Sequence, residues 1–231
     1  MNVAIIVAAG KGLRMGASSR KQYLHLENQP ILTHTLKAFD VSRVVDRLIL
    51  VVPEGEAAYC RREIVSPARL SKTVALVGGG RRRQDSVLNA LRSVEDRDAV
   101  VLIHDAVRPL LSGALIEACI AGAKQWGACL PAIAVGDTLK EADGSGRVVR
   151  TVERRGLYTA QTPQAFKLPL ILAAHEAGQK KGWQVTDDAS LVEAFGRQVH
   201  IIAGERENIK ITTPEDLDLA CAYLRARRHR G

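Results

Sequence analysis

The residues best suited to chemistry lie between Val3 and Lys21, in the run V-A-I-I-V-A-A-G-K-G-L-R-M-G-A-S-S-R-K. Val3 to Val7 is short, apolar and rich in β-branched residues, which predicts a buried strand. It opens at once into a small-residue loop, Ala8-Ala9-Gly10-Lys11-Gly12, followed by Arg14 and Lys21. Small residues let a backbone come close to a ligand, so that its N–H groups reach anionic oxygens. Arg14 and Lys21 add full positive charge, the usual complement of phosphate. Two familiar phosphate loops are excluded. The dinucleotide fingerprint G-x-G-x-x-G needs glycine where the chain has Met15, and no Gly-Lys-Ser or Gly-Lys-Thr occurs.

These residues need a scaffold, and the rest of the chain supplies a recognisable one. Apolar strands are expected at Arg47 to Val52, Thr73 to Val77, Ala99 to Ile103, Cys129 to Val135 and Val199 to Ala203. Helices are expected at Ile31 to Phe39, Glu56 to Ile64, through Leu91, at Ala114 to Lys124, about Pro169 to Gly178, and through Phe195. Thr186-Asp187-Asp188-Ala189-Ser190 reads as a helix N-cap, with both aspartates assigned to capping. Thr213 caps a last helix to about Ala226, with Pro214 at its first position. Alternating strands and helices imply an α/β fold, a mostly parallel sheet with helices on both faces. Ligands of such sheets sit beyond the carboxyl ends of the strands. The loops after Val7, Val77 and Ile103 then share one crevice, which brings Gly79, Gly80, Ser86 and Asp105 towards the first loop.

One segment breaks the alternation. Thr138 to Glu141 and Val148 to Glu153 flank Asp143-Gly144-Ser145-Gly146, which predicts a β-hairpin too polar for the core. On composition it is equally a surface flap or an arm that packs on a second subunit. The expected organisation is a single domain, 1–231, with residues 136–156 as an arm within it.

Composition narrows the class. Hydrophobic residues make up 46% and charged residues 25%, ordinary for a water-soluble protein. No apolar run reaches the length of a membrane span, and Met1 leads straight into a strand, so a cytoplasmic protein is expected. Four cysteines without a C-x-x-C pair read as reduced structural thiols, and the six histidines show no metal-ligand spacing. Net charge is +8, and half of it comes from the four arginines of the C-terminal R-A-R-R-H-R-G. With aromatic residues at only 4%, a cationic site plus a solvated basic tail explains the charge better than a nucleic-acid groove.

The first loop, A-A-G-x-G-x-R-M with a following lysine, resembles the sugar-nucleotide pyrophosphorylase and cytidylyltransferase superfamily. Further anchors sharpen this. They are K-Q-Y (21–23), G-G (79–80) with R-Q-D-S-V (83–87), H-D-A-V-R-P (104–109), D-T (137–138), T-V-E-R (151–154), Q-T-P-Q (161–164), T-D-D-A-S (186–190) and N-I-K-I-T-T-P-E-D (208–216). In this order and spacing they are similar, nearly end to end, to the 2-C-methyl-D-erythritol 4-phosphate cytidylyltransferase family of the non-mevalonate isoprenoid pathway. Two departures occur: Arg20 stands where that family usually has proline, and Arg81-Arg82 where many members are neutral or acidic.

The resemblance implies a Rossmann-like, three-layer αβα nucleotidyltransferase fold with a protruding β-arm. It implies cytidylyl transfer from CTP to methylerythritol phosphate with Mg²⁺, releasing pyrophosphate; a ribitol-5-phosphate or other polyol-phosphate cytidylyltransferase is the alternative. By the same resemblance Arg14, Lys21 and Lys210 are catalytic, and Asp105 holds the metal. Ala8, Ala9, Gly10, Gly12, Gly79, Gly80 and Ser86 bind the nucleotide. Arg108, Thr138, Arg154 and Thr186 bind the acceptor, Thr138 and Arg154 from the arm of the partner in a homodimer. Arg83 matches the motif frame but is left outside the catalytic set. His104 is read as a hydrogen-bonding support rather than a base.

Overall fold

The structure, a computed structural model, describes residues 1–10 and 20–230. Gly12 and Arg14 lie outside the described residues. Strand β1 (Asn2–Val7) lies inside the main sheet. After it come a 3₁₀ turn, Lys21–Tyr23, a small hairpin of β2 (His25–Leu26) and β3 (Gln29–Pro30), and helix α1 (Ile31–Asp40). Strand β4 (Arg47–Val52) pairs in parallel with β1. The helix expected over Glu56 to Ile64 is instead broken: α2 (Ala57–Cys60) passes through a π turn, Arg61–Val65, into α3 (Ser66–Ala68). Pro67 sits in the first turn of α3, where its missing N–H costs the helix least.

Strand β5 (Val74–Gly78), helix α4 (Arg83–Arg92), strand β6 (Val100–Asp105), helix α5 (Gly113–Trp126) and strand β7 (Ala128–Ala134) follow as expected. Ser112 caps α5 by accepting from the Leu115 N–H. The arm is β8 (Leu139–Ala142) paired with β9 (Val148–Val152), a two-stranded sheet separate from the main one. Strands β10 (Tyr158–Ala160) and β11 (Gln164–Lys167) fall where sequence patterning assigns no element. They are only 3 and 4 residues long and are separated by Pro163, so period-two alternation never develops. Helices α6 (Leu168–Lys181) and α7 (Asp188–Ala194), strand β12 (His200–Ala203) and helix α8 (Pro214–Arg230) complete the chain.

The main sheet has eight strands in the order β10-β7-β11-β6-β1-β4-β5, with β12 paired to β7. From β6 through β1 and β4 to β5 all pairings are parallel, while β10 and β11 run antiparallel. Alternation along each strand sends side chains to opposite faces. Ala4, Ile6, Leu48 and Leu50 pack on one side against Leu36 and Phe39 of α1 and Ile116 of α5. Val3, Ile5, Ile49 and Val51 pack on the other against Val87 and Leu91 of α4, Ile171 of α6 and Leu191 of α7. This is the expected three-layer α/β arrangement.

Helix α8 departs from expectation. It continues past Ala226, and three of its arginines carry ion pairs, although the Arg225 and Arg228 side chains remain 71% and 65% exposed. Arg227 Nε lies 2.7 Å from Glu207 Oε2, Arg228 2.6 Å and Arg225 3.5 Å from the Glu27 carboxylate. Favourable pairs for cations in the last turns of a helix extend it beyond the point where its apolar pattern ends. Cys60, Cys119 and Cys129 are buried free thiols, and burial pushes the Cys129 thiol up to about 12.

Candidate nucleotide-binding site

The sheet register lines up the chemistry. Val7 stands opposite Asp105 on β6 and Val51 on β4, and Val52 stands opposite Gly78 on β5. Three carboxyl ends therefore open onto one crevice. The first loop is pinned by Ala8 N–H donating to Val51 C=O at 2.8 Å. The second is pinned by Gly79 N–H donating to Val52 C=O at 2.7 Å. A Cβ on Gly79 would come within 2.4 Å of Ala9 Cβ, so the two loops interlock only because residue 79 is glycine. At Gly10 a Cβ would meet no atom of the described residues within 4 Å. Gly80 N–H donates to Ser86 Oγ, and the hydroxyl donates on to Arg82 C=O, each at 3.0 Å. Ser86 thus holds the glycine turn in shape from the first turns of α4.

Between these loops lies a cavity of about 510 Å³. Its wall contains Ala8, Ala9, Gly10, Lys21, Gly80, Ser86, Asp105 and Lys210, eight of the residues expected from sequence, together with Arg83. Lys21 is delivered by its neighbour: the buried Gln22 donates its side-chain N–H to Ala8 C=O at 2.7 Å. The unusual Arg20 pairs with Glu56 at 2.8 Å, and Tyr23 Oη donates to the same carboxylate, so the end of the first loop is tied to α2.

Asp105 is the focus of the charges. Its carboxylate is only 12% exposed and lies 2.7 Å from Lys210 Nζ, 3.7 Å from Arg83 Nη2 and 3.9 Å from Arg108 Nε. Burial would raise its pKa, but Arg83, Lys210 and Arg108 more than offset this and hold the carboxyl below its ordinary range. Behind it runs a buried relay of hydrogen bonds. Asp105 N–H donates to Thr162 Oγ1 at 3.1 Å, Thr162 Oγ1 meets His104 Nδ1 at 3.0 Å, and His104 Nε2 meets Arg108 C=O at 3.0 Å. Since the carbonyl can only accept, Nε2 carries the proton and Nδ1 accepts from Thr162. Burial lowers the His104 pKa to about 4. Both ring nitrogens are spent on structure, as the supporting role expected for His104 requires.

Lys210 is placed by the turn before α8. Ile211 N–H donates to Val107 C=O at 2.9 Å, and the buried Asn208 donates from Nδ2 to Thr162 C=O at 2.8 Å. Arg108 donates to Asn208 C=O at 2.7 Å.

Five expected residues lie elsewhere. Gly79 sits just behind the wall, and Arg108 approaches Asp105 from the side. Thr138 and Arg154 are exposed at the base of the arm, where Arg154 donates to Gly136 C=O. Thr186 is exposed ahead of α7. The cap assignment needs correction. Asp187 alone caps α7, accepting from Ser190 N–H at 3.0 Å. Asp188 is buried and pairs with Arg83 Nη2 at 2.8 Å. Sequence reasoning also undervalued Arg83. Its position in R-Q-D-S-V was the available signal, but its partners come from β6 and α7.

An eight-stranded, mostly parallel sheet carrying a glycine-lined cationic cavity at its carboxyl edge defines a nucleotidyltransferase-like α/β protein. Within that class the chain belongs to the IspD family, 2-C-methyl-D-erythritol 4-phosphate cytidylyltransferase, whose model matches residues 2–226. It is 46% identical over 225 residues to the 2-C-methyl-D-erythritol 4-phosphate cytidylyltransferase of Geotalea uraniireducens, covering 96% of both chains. It is 45% identical to that of Pelotomaculum thermopropionicum, covering 98% of this chain and 95% of the relative. Among solved structures, the 4-diphosphocytidyl-2C-methyl-D-erythritol synthase of Anaerococcus prevotii superposes with a TM-score of 0.84 at 33% identity, covering 97% of this chain and 96% of that one.

Proposed function

We propose that this chain transfers a cytidylyl group from CTP to 2-C-methyl-D-erythritol 4-phosphate, giving 4-diphosphocytidyl-2-C-methyl-D-erythritol and pyrophosphate. Family membership supports the reaction. The observation that carries the site is Asp105 ringed by Lys210, Arg83 and Arg108 at a cavity also lined by Lys21 and the Ala8–Gly10 backbone. An oxygen of the acceptor phosphate attacks the α-phosphorus of CTP. A new P–O bond forms, the bond to the bridging oxygen breaks, and pyrophosphate leaves with its electrons.

Two anions must meet while charge grows on the α-phosphate and the leaving group. Catalysis is therefore positioning and electrostatic stabilisation, and no nucleophilic side chain is needed. Lys21 and Lys210, with Arg14 from outside the described residues, are assigned to that charge. Main-chain groups of Ala8, Ala9, Gly10, Gly79 and Gly80, shaped by Ser86 and with Gly12 in the same loop, are assigned to the nucleotide. His104 has both ring nitrogens engaged in hydrogen bonds, and an attacking phosphate oxygen needs no base at neutral pH.

The donor set fits Mg²⁺. That ion takes one or two carboxylates and completes its shell with waters and substrate phosphates, and Asp105 offers one ionised carboxylate at the cavity wall. When bound, the ion would neutralise and align phosphate oxygens. Asp105 would hold it, and Lys210 would move its pairing from Asp105 to phosphate.

The acceptor is assigned to Arg108 and Thr186, and to Thr138 and Arg154 of a partner's arm. The arm supports a homodimer: among the described residues β8 and β9 pair only with each other, and Val148 and Val149 are exposed. An isolated two-stranded hairpin is marginal in water unless something covers it. Among the described residues no helix is long and apolar enough to cross a membrane. A cytoplasmic location matches water-soluble substrates, and no nucleic-acid partner is required.

The test is pyrophosphate release from CTP and Mg²⁺ with methylerythritol 4-phosphate and ribitol 5-phosphate side by side. Release with the first alone is expected, and Lys21→Ala should cut it at least about a hundredfold with the fold intact. Preferential use of ribitol 5-phosphate would move the acceptor assignment to the other polyol.

A further inference from the structure

Asp188 is a buried carboxylate that the reaction does not touch. Its side chain is 1% exposed, yet the capping work at this helix belongs to Asp187. Gln164 of β11 fixes the turn: its Oε1 accepts from Asp188 N–H at 3.1 Å and Ala189 N–H at 3.0 Å, while its Nε2 donates to Asp187 Oδ2 at 2.7 Å. The Asp188 carboxylate is thereby aimed. Oδ1 faces His175 Nε2 at 3.2 Å, and Oδ2 faces Arg83 Nη2 at 2.8 Å. The same Nη2 lies 3.7 Å from Asp105 Oδ1, whereas Lys210 holds Asp105 Oδ2. Arg83 therefore stands between two carboxylates, closer to the one outside the cavity.

A charge removed from water is strongly penalised unless it is paired, so a buried carboxylate without a role would be unfavourable. Here it has a consequence. A guanidinium released from Asp188 would be drawn closer to Asp105, its other carboxylate partner, and compete there with the ligand. A guanidinium held by Asp188 at 2.8 Å stays in the cavity wall as a fixed donor, at the longer distance of 3.7 Å from Asp105 Oδ1.

We propose that Asp188, aimed by Gln164 and backed by His175, is a positioning residue that holds the Arg83 guanidinium in the cavity wall and away from Asp105. This rests on the assignment of the cavity to cytidylyl transfer. Asp188 acts only through Arg83, so its effect on turnover must disappear when Arg83 is absent.

The experiment is a double-mutant cycle on kcat/KM for pyrophosphate release, with Asp188→Asn, Arg83→Gln and the pair. Each single variant is expected to lose about tenfold or more, and the pair to lose no more than Arg83→Gln alone. Multiplying losses in the pair would overturn the proposal, because a structural role for Asp188 does not depend on Arg83. Asp188→Glu keeps the buried charge and shifts it by one methylene. If Asp188→Asn does not fold, the same cycle with Asp188→Glu must show the same loss of effect beside Arg83→Gln. Failure of the wild type to release pyrophosphate sinks the assigned reaction instead. The cycle is then read on CTP dissociation constants, where additive losses again overturn the positioning role.

Discussion

Asp188 and Asp105 are the two buried aspartates of the site, and their environments differ in what they owe to a ligand. Asp105 faces the cavity, whereas Asp188 faces only protein. Burial works against the charge of Asp188, but Arg83 and His175 outweigh it and lower its pKa to about 2 from 3.8. A carboxyl whose folded pKa is depressed adds stability that is fully present above its unfolded value, and that stability is lost as pH falls through the folded value. The wild type should therefore be more stable than Asp188→Asn at neutral pH. The gap should narrow as pH falls below about 4 and close near pH 2. Urea unfolding of both proteins across that range checks this; a gap independent of pH would mean that the carboxylate contributes packing alone. The same residue marks where sequence stops being legible. Two adjacent aspartates before an apolar run look like two caps, and only the tertiary fold separates Asp187, which caps, from Asp188, which meets an arginine from α4. Asp105, by contrast, was legible because a charged residue at the end of a fully apolar strand has few places to point except the crevice.

Strongly periodic elements were readable for the same kind of reason. Strands β1, β4, β5 and β6 and helices α1, α4 and α5 carry their own apolar pattern, and burial in two layers requires it. Elements whose stability comes from elsewhere were not readable. Strands β10 and β11 are specified by pairing to β7 and β6, and the end of α8 by ion pairs to remote glutamates. That helix also has a functional position. It packs Ala220, Leu217 and Leu224 on a third cluster with Leu26 from the hairpin after Lys21, Val107 and Leu110 after Asp105, and Ile209 and Ile211 on either side of Lys210. One helix thus backs three of the segments that bring charge to the cavity, those of Lys21, Asp105 and Lys210. Arg227 completes the clasp by donating to Leu110 C=O at 2.6 Å and to Glu207 at 2.7 Å. Arg227→Ala should cost about 1–3 kcal/mol of stability. It should also lower kcat several-fold at temperatures where the variant is fully folded. Unchanged turnover beside a lowered melting temperature would show that α8 supports the fold without setting the lysines.

At the scale of the whole molecule, the cavity assigned to CTP is lined by cations of one chain, whereas Thr138 and Arg154 sit outside its wall at the base of an exposed hairpin. Val148 and Val149 are 57% and 60% exposed on that arm, an apolar edge that a second copy would cover. In the proposed two-fold assembly each arm completes the acceptor half of the other chain's site. Arg154→Ala should then raise the KM for the acceptor phosphate far more than the KM for CTP; equal effects on both would count against the arm. Mixing makes a sharper test. A Lys21→Ala chain has a disabled body but an intact arm, and an Arg154→Ala chain the reverse. In a hybrid dimer the Arg154→Ala body receives the intact arm, giving one complete site, while the other site carries both defects. Random reassortment makes half of the dimers hybrid, so about a quarter of all sites should recover when two poorly active proteins are combined. Sites built within single chains would show only the average of the two parents, and that result would return the arm to a surface flap.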